Sequence, residues 1–198
     1  MQHLPFAPGA GPGKAVKPFK WSYCNPKNPG IIRINKLQVS PSPLPSPGIF
    51  YVTMEEETLA PLNSSKVQLS VKKLGFINVP VPCITKFGSC TYGDTCTLLD
   101  EMEKENYAGL LGPIATALKN IYHKKGLRYK CPVPRQKIKV TKEKFPLPAT
   151  SSVMKTFLQG DFKATIKLID NKSNKEFFCI NVEMSVSTGC TGWLCGRR

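Results

Sequence analysis

Eight cysteines constrain this chain more than any other feature: Cys24, Cys83, Cys90, Cys96, Cys131, Cys179, Cys190 and Cys195. Only two histidines, His3 and His123, accompany them, and no two cysteines form a Cys-x-x-Cys pair. Neither a zinc site nor a cytosolic redox motif is supported, and no metal or other cofactor is expected. An even set of cysteines points instead to four disulfides made in an oxidising compartment, so the protein is expected to be secreted or lumenal. Cys83 and Cys90 are close enough to staple a short loop, and Cys190 and Cys195 flank a tight Thr-Gly-Trp-Leu segment; the remaining connectivity is open at this point.

The 198 residues suffice for one domain. With 41% hydrophobic and 21% charged residues, a packed core is possible and wholesale disorder is excluded. No apolar run approaches the ~18 residues of a membrane span. Residues 1–18 are rich in Pro, Gly and Ala, lack a signal-peptide core and read as a flexible arm; a secretion leader is expected outside the given residues. The expected organisation is this arm, a folded domain over 19–188 and a disulfide-closed basic tail over 189–198.

The folded part reads as a β protein. Segments 31–39, 49–58, 66–74, 77–81, 161–170 and 176–187 are rich in β-branched and aromatic residues and are bounded by turn formers. Period-2 alternation puts Phe50, Val52 and Met54 on one face, as it does Val67, Leu69 and Val71, then Phe162, Ala164, Ile166 and Leu168, then Phe178, Ile180, Val182 and Met184. Ile32 and Ile34 have the opposite parity to Leu37 and Val39, which predicts a bulge near Asn35 or Lys36. The proline-rich run 40–47 reads as a stiff connection unable to donate a ladder. Segments 97–107 and 110–122 have helical composition and read as insertions, although Gly112 and Pro113 weaken the second.

Catalytic signatures are missing from the sequence. His123 has no local acid to orient it, and the nucleophile elbow, the HExxH motif and the P-loop do not occur. Glu55, Glu56 and Glu57 alternate faces on a strand and read as a solvated strand end. Two sequons, at Asn63 and Asn171, fall in turns where a glycan would project into solvent. Ten Lys/Arg against one acid fill residues 119–144; Lys124, Lys125, Arg128, Lys130, Arg135 and Lys137 are the candidates for contact with an anionic surface. Few aromatics interleave them, so nucleic acid is not the expected partner. Segment 145–162 is mostly uncharged, and Val153, Met154, Phe157 and Leu158 form a loop-like stretch able to touch a membrane.

Specific stretches carry a family resemblance. FKWSYC (19–24), IIRI, KVQLSVKKLGFINVPVPC (66–83), GSCTYGDTCTLLD (88–100), FLQGDFKATIKLI and FFCINVEMS resemble the ganglioside-activator type of the ML (lipid-recognition) domain family over about four-fifths of the chain. The PC-x6-C-x5-C-x-LLD block is the most specific part. The resemblance implies an Ig-like β-cup, a β-sandwich of two antiparallel sheets splayed around an apolar lipid cavity. It implies the pairs Cys24–Cys179, Cys83–Cys90 and Cys96–Cys131, leaving Cys190 to pair with Cys195. It also places Phe157 in the family's membrane-touching loop. The cavity lining is then expected from Phe50, Val52, Met54, Leu69, Val71, Ile166, Leu168, Ile180, Val182 and Met184.

The implied function is non-enzymatic: extraction of a glycolipid or phospholipid from a membrane, with an anionic membrane surface as the expected partner, and its presentation to a hydrolase of the lysosomal β-hexosaminidase type. The secretory pathway or the lysosomal lumen is the implied location. A second class, a secreted basic interaction or defence protein acting through residues 119–144, is the alternative.

Overall fold

The computed structural model describes residues 17–189. Residues 1–16 of the expected arm, the Cys190–Cys195 pairing and the rest of the basic tail lie outside the described residues. In chain order the elements are β1 (Lys20–Tyr23), β2 (Ile32–Ser40), β3 (Leu44–Pro45), β4 (Gly48–Thr58), β5 (Ser65–Leu74), β6 (Val79–Val81) and β7 (Thr91–Tyr92). Then come α1 (Thr95–Glu105), a turn of 3-10 helix (Tyr107–Gly109), α2 (Leu111–Lys124), β8 (Gln136–Leu147), α3 (Ser152–Leu158), β9 (Gly160–Asp170) and β10 (Glu176–Ser187).

Two sheets result. One is ordered β1-β10-β9-β5-β6, with β7 on β5 and β3 on β10; the other is β2-β4-β8. Every pairing is antiparallel except the two-residue contact of β3 with β10. That contact corrects the expectation for the proline-rich run, because Leu44 and Pro45 lie alongside Val186 and Ser187, and the Ser46 N–H donates to the Ser187 carbonyl at 2.8 Å.

Register follows the alternation. The shift in β2 falls between Ile34 and Lys36, which makes Asn35 the bulged residue and turns Leu37 and Val39 to the same side as Ile32 and Ile34. Tyr23 serves that irregularity: its hydroxyl accepts from the Ile34 N–H and donates to the Ile34 carbonyl, so the displaced backbone stays hydrogen-bonded. The helices also have local causes. Asp94 caps α1 through the Cys96 N–H at 2.9 Å, and Ser151 caps α3 through the Met154 N–H. Gly112, which weakens α2 on propensity, is needed for packing: Asn106 Oδ1 accepts from its N–H at 2.9 Å, and a β-carbon there would sit 2.8 Å from that oxygen.

The basic stretch 119–144 contains a strand, β8, that the segments read from the sequence do not include. Ile138 and Val140 are buried while Lys137 and Lys139 point outward to Glu57 and Glu55, at 3.2 and 2.8 Å. The lysines are the polar half of an alternating strand.

The hydrophobic interior is divided in two. Ile32 and Ile34 of β2 pack with Phe178, Ile180 and Val182 of β10, backed by Trp21, Tyr23, Ile166 and Leu168. Ile138, Val140 and Phe145 of β8 pack with Ile121 of α2, backed by Phe50, Val52, Met54, Leu118 and Tyr122. The sheets therefore meet along β2 and β10, while their other margins are bridged by helices: α2 packs on β8, α1 on α2, and α1 on β5. Three disulfides among the described residues staple this ring: Cys24–Cys179, Cys83–Cys90 and Cys96–Cys131. They are the pairs that the resemblance implies.

Candidate functional site

The space between the sheets is the candidate site. Cross-strand register gathers the inward residues into layers: Leu69, Ile166 and Ile180 form one, and Val71, Ala164 and Val182 the next. On the opposite sheet Val39 faces Val52, Leu37 faces Met54, and Phe50 stacks on Phe145 with ring centroids 5.3 Å apart. Of the ten expected lining residues, Ile180 and Val182 are buried, and Phe50, Val52, Met54, Leu69, Val71, Ile166, Leu168 and Met184 are only half-buried. No large side chain among the described residues falls below 2% exposure. Eight of the ten thus face inward and yet keep part of their apolar surface accessible.

One end of the strands carries exposed apolar groups. The β5–β6 turn presents Phe76 and Ile77 at 106% and 72% exposure, the start of β6 presents Val79 at 55%, and α3 presents Val153 and Phe157 at 68% and 43%. Both features belong to the same end, because Leu74 pairs with Asp161 and Lys73 with Val79, while α3 leads directly into Gly160. Lys73 ties them together: its ammonium donates to the carbonyls of Thr156 and Phe157 at 3.1 and 3.3 Å and lies 5.7 Å from the Phe162 ring centre. Burial there pushes the ammonium below the ordinary lysine range.

The expected membrane stretch is therefore a short helix rather than a loop, and its members divide. Val153 and Phe157 face solvent, Met154 is half-buried, and Leu158 is buried and packs inward. The turn around Phe76 was missed. Its signal was present, since an apolar Gly-Phe-Ile in a hairpin turn, where polar residues are usual, stands out.

The basic residues gather elsewhere. Gln136 exchanges hydrogen bonds with the backbone of Arg128 and pairs with Thr58, at the end of β4 remote from Gly48. Lys124, Lys125, Arg128, Lys130, Arg135 and Lys137 are thus at the end of the frame opposite the apolar tips, about 33 Å away along an eleven-residue strand. Their charge is partly compensated from other elements: Lys130 and Lys119 both reach Asp100, at 3.1 and 2.8 Å, and Lys137 reaches Glu57. The hydrogen bond from Lys119 holds the Asp100 carboxyl below the usual range.

Glu56 departs from its expected place. Glu55 and Glu57 pair outward with lysines, but Glu56 faces inward, in register between the buried Ile34 and Ile138. Burial pushes its carboxyl up to about 7. Tyr122 of α2 lies close enough that its own phenol is pushed upward, chiefly by burial and secondly by the Glu56 charge.

Both sequons are exposed and adjacent: the Asn171 side-chain amide donates to Ser64 Oγ at 2.7 Å and to the Gly93 carbonyl at 3.1 Å, while no such bond engages Asn63 among the described residues. Asp94, Cys96 and Cys131 come together like a ligand set, but both sulfurs belong to one disulfide and the aspartate caps α1.

The ML domain profile matches residues 18–186. The ganglioside GM2 activator of Mus musculus is 39% identical over 87 residues, which is 42% of this chain and 44% of that protein. This match thus spans less than half of the mouse relative. That of Macaca fascicularis is 27% identical over 183 residues, 91% of this chain and 89% of that one. A crystal structure of a Niemann-Pick type C2 protein from Japanese carpenter ant is similar at 11% identity and a TM-score of 0.41, covering 85% of this chain and 99% of that chain. With the profile spanning nearly the whole described fold, the chain belongs to the ML domain family, and within it resembles the ganglioside GM2 activators.

Proposed function

We propose that this protein is a lipid carrier. It takes a glycolipid or phospholipid from a membrane, shelters the acyl chains between its sheets and presents the headgroup to a soluble hydrolase of the β-hexosaminidase type. The observation that carries this reading is the half-exposed apolar lining between two separate hydrophobic clusters. Each methylene exposed to water costs ~0.8 kcal/mol, so a two-chain lipid with about thirty of them is held back by roughly 24 kcal/mol unless an apolar wall replaces the bilayer. The inward faces of β4, β5, β9 and β10 offer that wall.

The entrance is the end bearing Phe76, Ile77, Val153 and Phe157. Exposed aromatic and branched side chains there gain by burial in the acyl boundary, and the membrane contact opens directly onto the lining. The likeness to ganglioside GM2 activators supports the hydrolase step, the absence of a catalytic role and a secreted or lysosomal setting. Among the described residues no helix is long and apolar enough to cross a membrane.

Native mass spectrometry of protein secreted from a eukaryotic host tests the reading. A co-purified glycolipid or phospholipid, or one acquired from vesicles, is expected; protein that stays empty after incubation with vesicles at acidic and neutral pH would overturn it.

The basic end favours a second reading, contact with anionic lipids or glycans, because Lys124, Lys125, Arg128 and Arg135 have no acid within ion-pair distance among the described residues. Such contact would weaken steeply with salt and would be independent of the apolar tips.

A further inference from the structure

A carrier of plain hydrocarbon has no need for an acid on its inner wall. Glu56 nevertheless sits there, flanked across the sheet by Ile34 and Ile138 and along its strand by Met54 and Thr58. Six residues separate it from Phe50 near the entrance, about 20 Å along β4. It is therefore deep, where an acyl chain would lie and a lipid headgroup would not. No described residue hydrogen-bonds or ion-pairs with its carboxyl.

The charged groups of the elements around it are engaged elsewhere. On β8, Lys137 and Lys139 point outward to Glu57 and Glu55. On β2, Arg33 and Lys36 are exposed. From β1, the Tyr23 hydroxyl is bound to the Ile34 backbone. On α2, Tyr122 is the titratable neighbour, while His123 is exposed. On the opposite sheet Lys163 and Lys167 pair with Glu183 and Glu176, and Lys73 is held at the entrance by α3.

We propose that acyl-chain occupancy of the cup is linked to protonation of Glu56, so that an apolar chain and one proton enter together. The inference rests on the lipid-carrier reading. Water in an empty cup can still hydrate the carboxylate, although burial already holds its midpoint at about 7. A bound chain replaces that water with hydrocarbon and disfavours the charged form further. The neutral acid has no such conflict. The sign follows: binding is fully available when Glu56 is protonated, and it weakens as pH rises through and above its midpoint, by up to about tenfold per pH unit for one linked proton.

The test uses the full protein and vesicles of 1-palmitoyl-2-oleoyl phosphatidylcholine, whose headgroup keeps its charge from pH 5 to 8.5. Lipid transfer affinity is measured across that range for the wild type and Glu56→Gln. The wild type should lose affinity above pH 7 with the slope of one proton, and Glu56→Gln should hold its acidic value throughout. Calorimetry of wild-type binding at pH 7.5 in two buffers of different ionisation enthalpy should show proton uptake, a readout that needs no variant. A flat wild-type profile, no proton uptake, or an unchanged slope in Glu56→Gln overturns the proposal and leaves the carrier reading standing. Failure of both proteins to take up lipid at pH 5 overturns both.

Discussion

Replacing Glu56 by glutamine should stabilise the empty protein at neutral and alkaline pH. The folded state raises this carboxyl from an ordinary 4.5 to about 7 through burial alone. A group that binds its proton more tightly when folded favours folding while protonated, so stability falls as pH climbs from the unfolded midpoint to the folded one. At about 1.4 kcal/mol per pH unit, the fall amounts to about 3 kcal/mol across this window. Glutamine keeps the shape and does not titrate. The two proteins should therefore be nearly equal near pH 4.5, separate through pH 5 and 6, and differ by about 3 kcal/mol above pH 7. For a domain of this size that is about 6–12 °C in melting temperature. Water following the charge into the cup would lower the amount but not the sign. Thermal melts of disulfide-intact, lipid-free protein at half-unit pH steps provide the assay. A difference that is constant with pH, or a variant that is the less stable protein at pH 8, would refute the inward placement of Glu56.

Other consequences are quicker to state. Phe76→Ser with Val153→Ser should cut binding to neutral vesicles at least several-fold while changing stability by less than about 0.5 kcal/mol, because both side chains are exposed; co-sedimentation and melts check the pair. Lys73→Met removes the ammonium that holds the α3 carbonyls, so hydrogen exchange should rise in Ser152–Leu158 ahead of the sheets. Replacing Cys96 and Cys131 together by serine opens a 35-residue separation and should cost about 4 kcal/mol by chain entropy, measured by urea denaturation. Glutamate at Lys124, Lys125 and Arg128 should weaken binding to anionic vesicles at low salt only, leaving transfer from neutral vesicles unchanged.

The β framework was legible because its strands are bounded by turn formers and alternate cleanly; the Asn35 bulge could be read from parity alone, since a single extra residue must flip every side chain after it. Strand β8 was not legible. Its short lysine-rich alternation sits inside a long basic stretch, and the partners that make those lysines ordinary, Glu55 and Glu57, lie some eighty residues earlier. The same pairing explains Glu56: three consecutive glutamates look solvated until two of them are seen to satisfy β8, which forces the middle one inward. Phe76 was hidden differently. It falls between the segments read as strands, 66–74 and 77–81, and only the structure shows how fully that turn exposes Phe76 and Ile77.

The opposition of the two ends bears on how the protein would meet a bilayer. Counted along the sequence, the basic stretch looks like the membrane-seeking part of the molecule; in three dimensions Arg128 and Arg135 flank the end of the strands remote from Phe76 and Phe157. At physiological ionic strength the screening length is about 8 Å, whereas the ends are about 33 Å apart, so roughly four screening lengths lie between a surface touched by the tips and that cluster. With the tips docked, its contribution to holding the protein there is negligible, and in that pose an added preference for anionic lipid would come from cations nearer the entrance, such as Lys72 and Lys144, whereas the cluster would act through a separate contact of its own. On the proposed reading, vesicle contact and any anionic contact at the basic end are separable: substitutions at the tips should weaken lipid transfer at any salt, and substitutions at the cluster should change only what salt already screens.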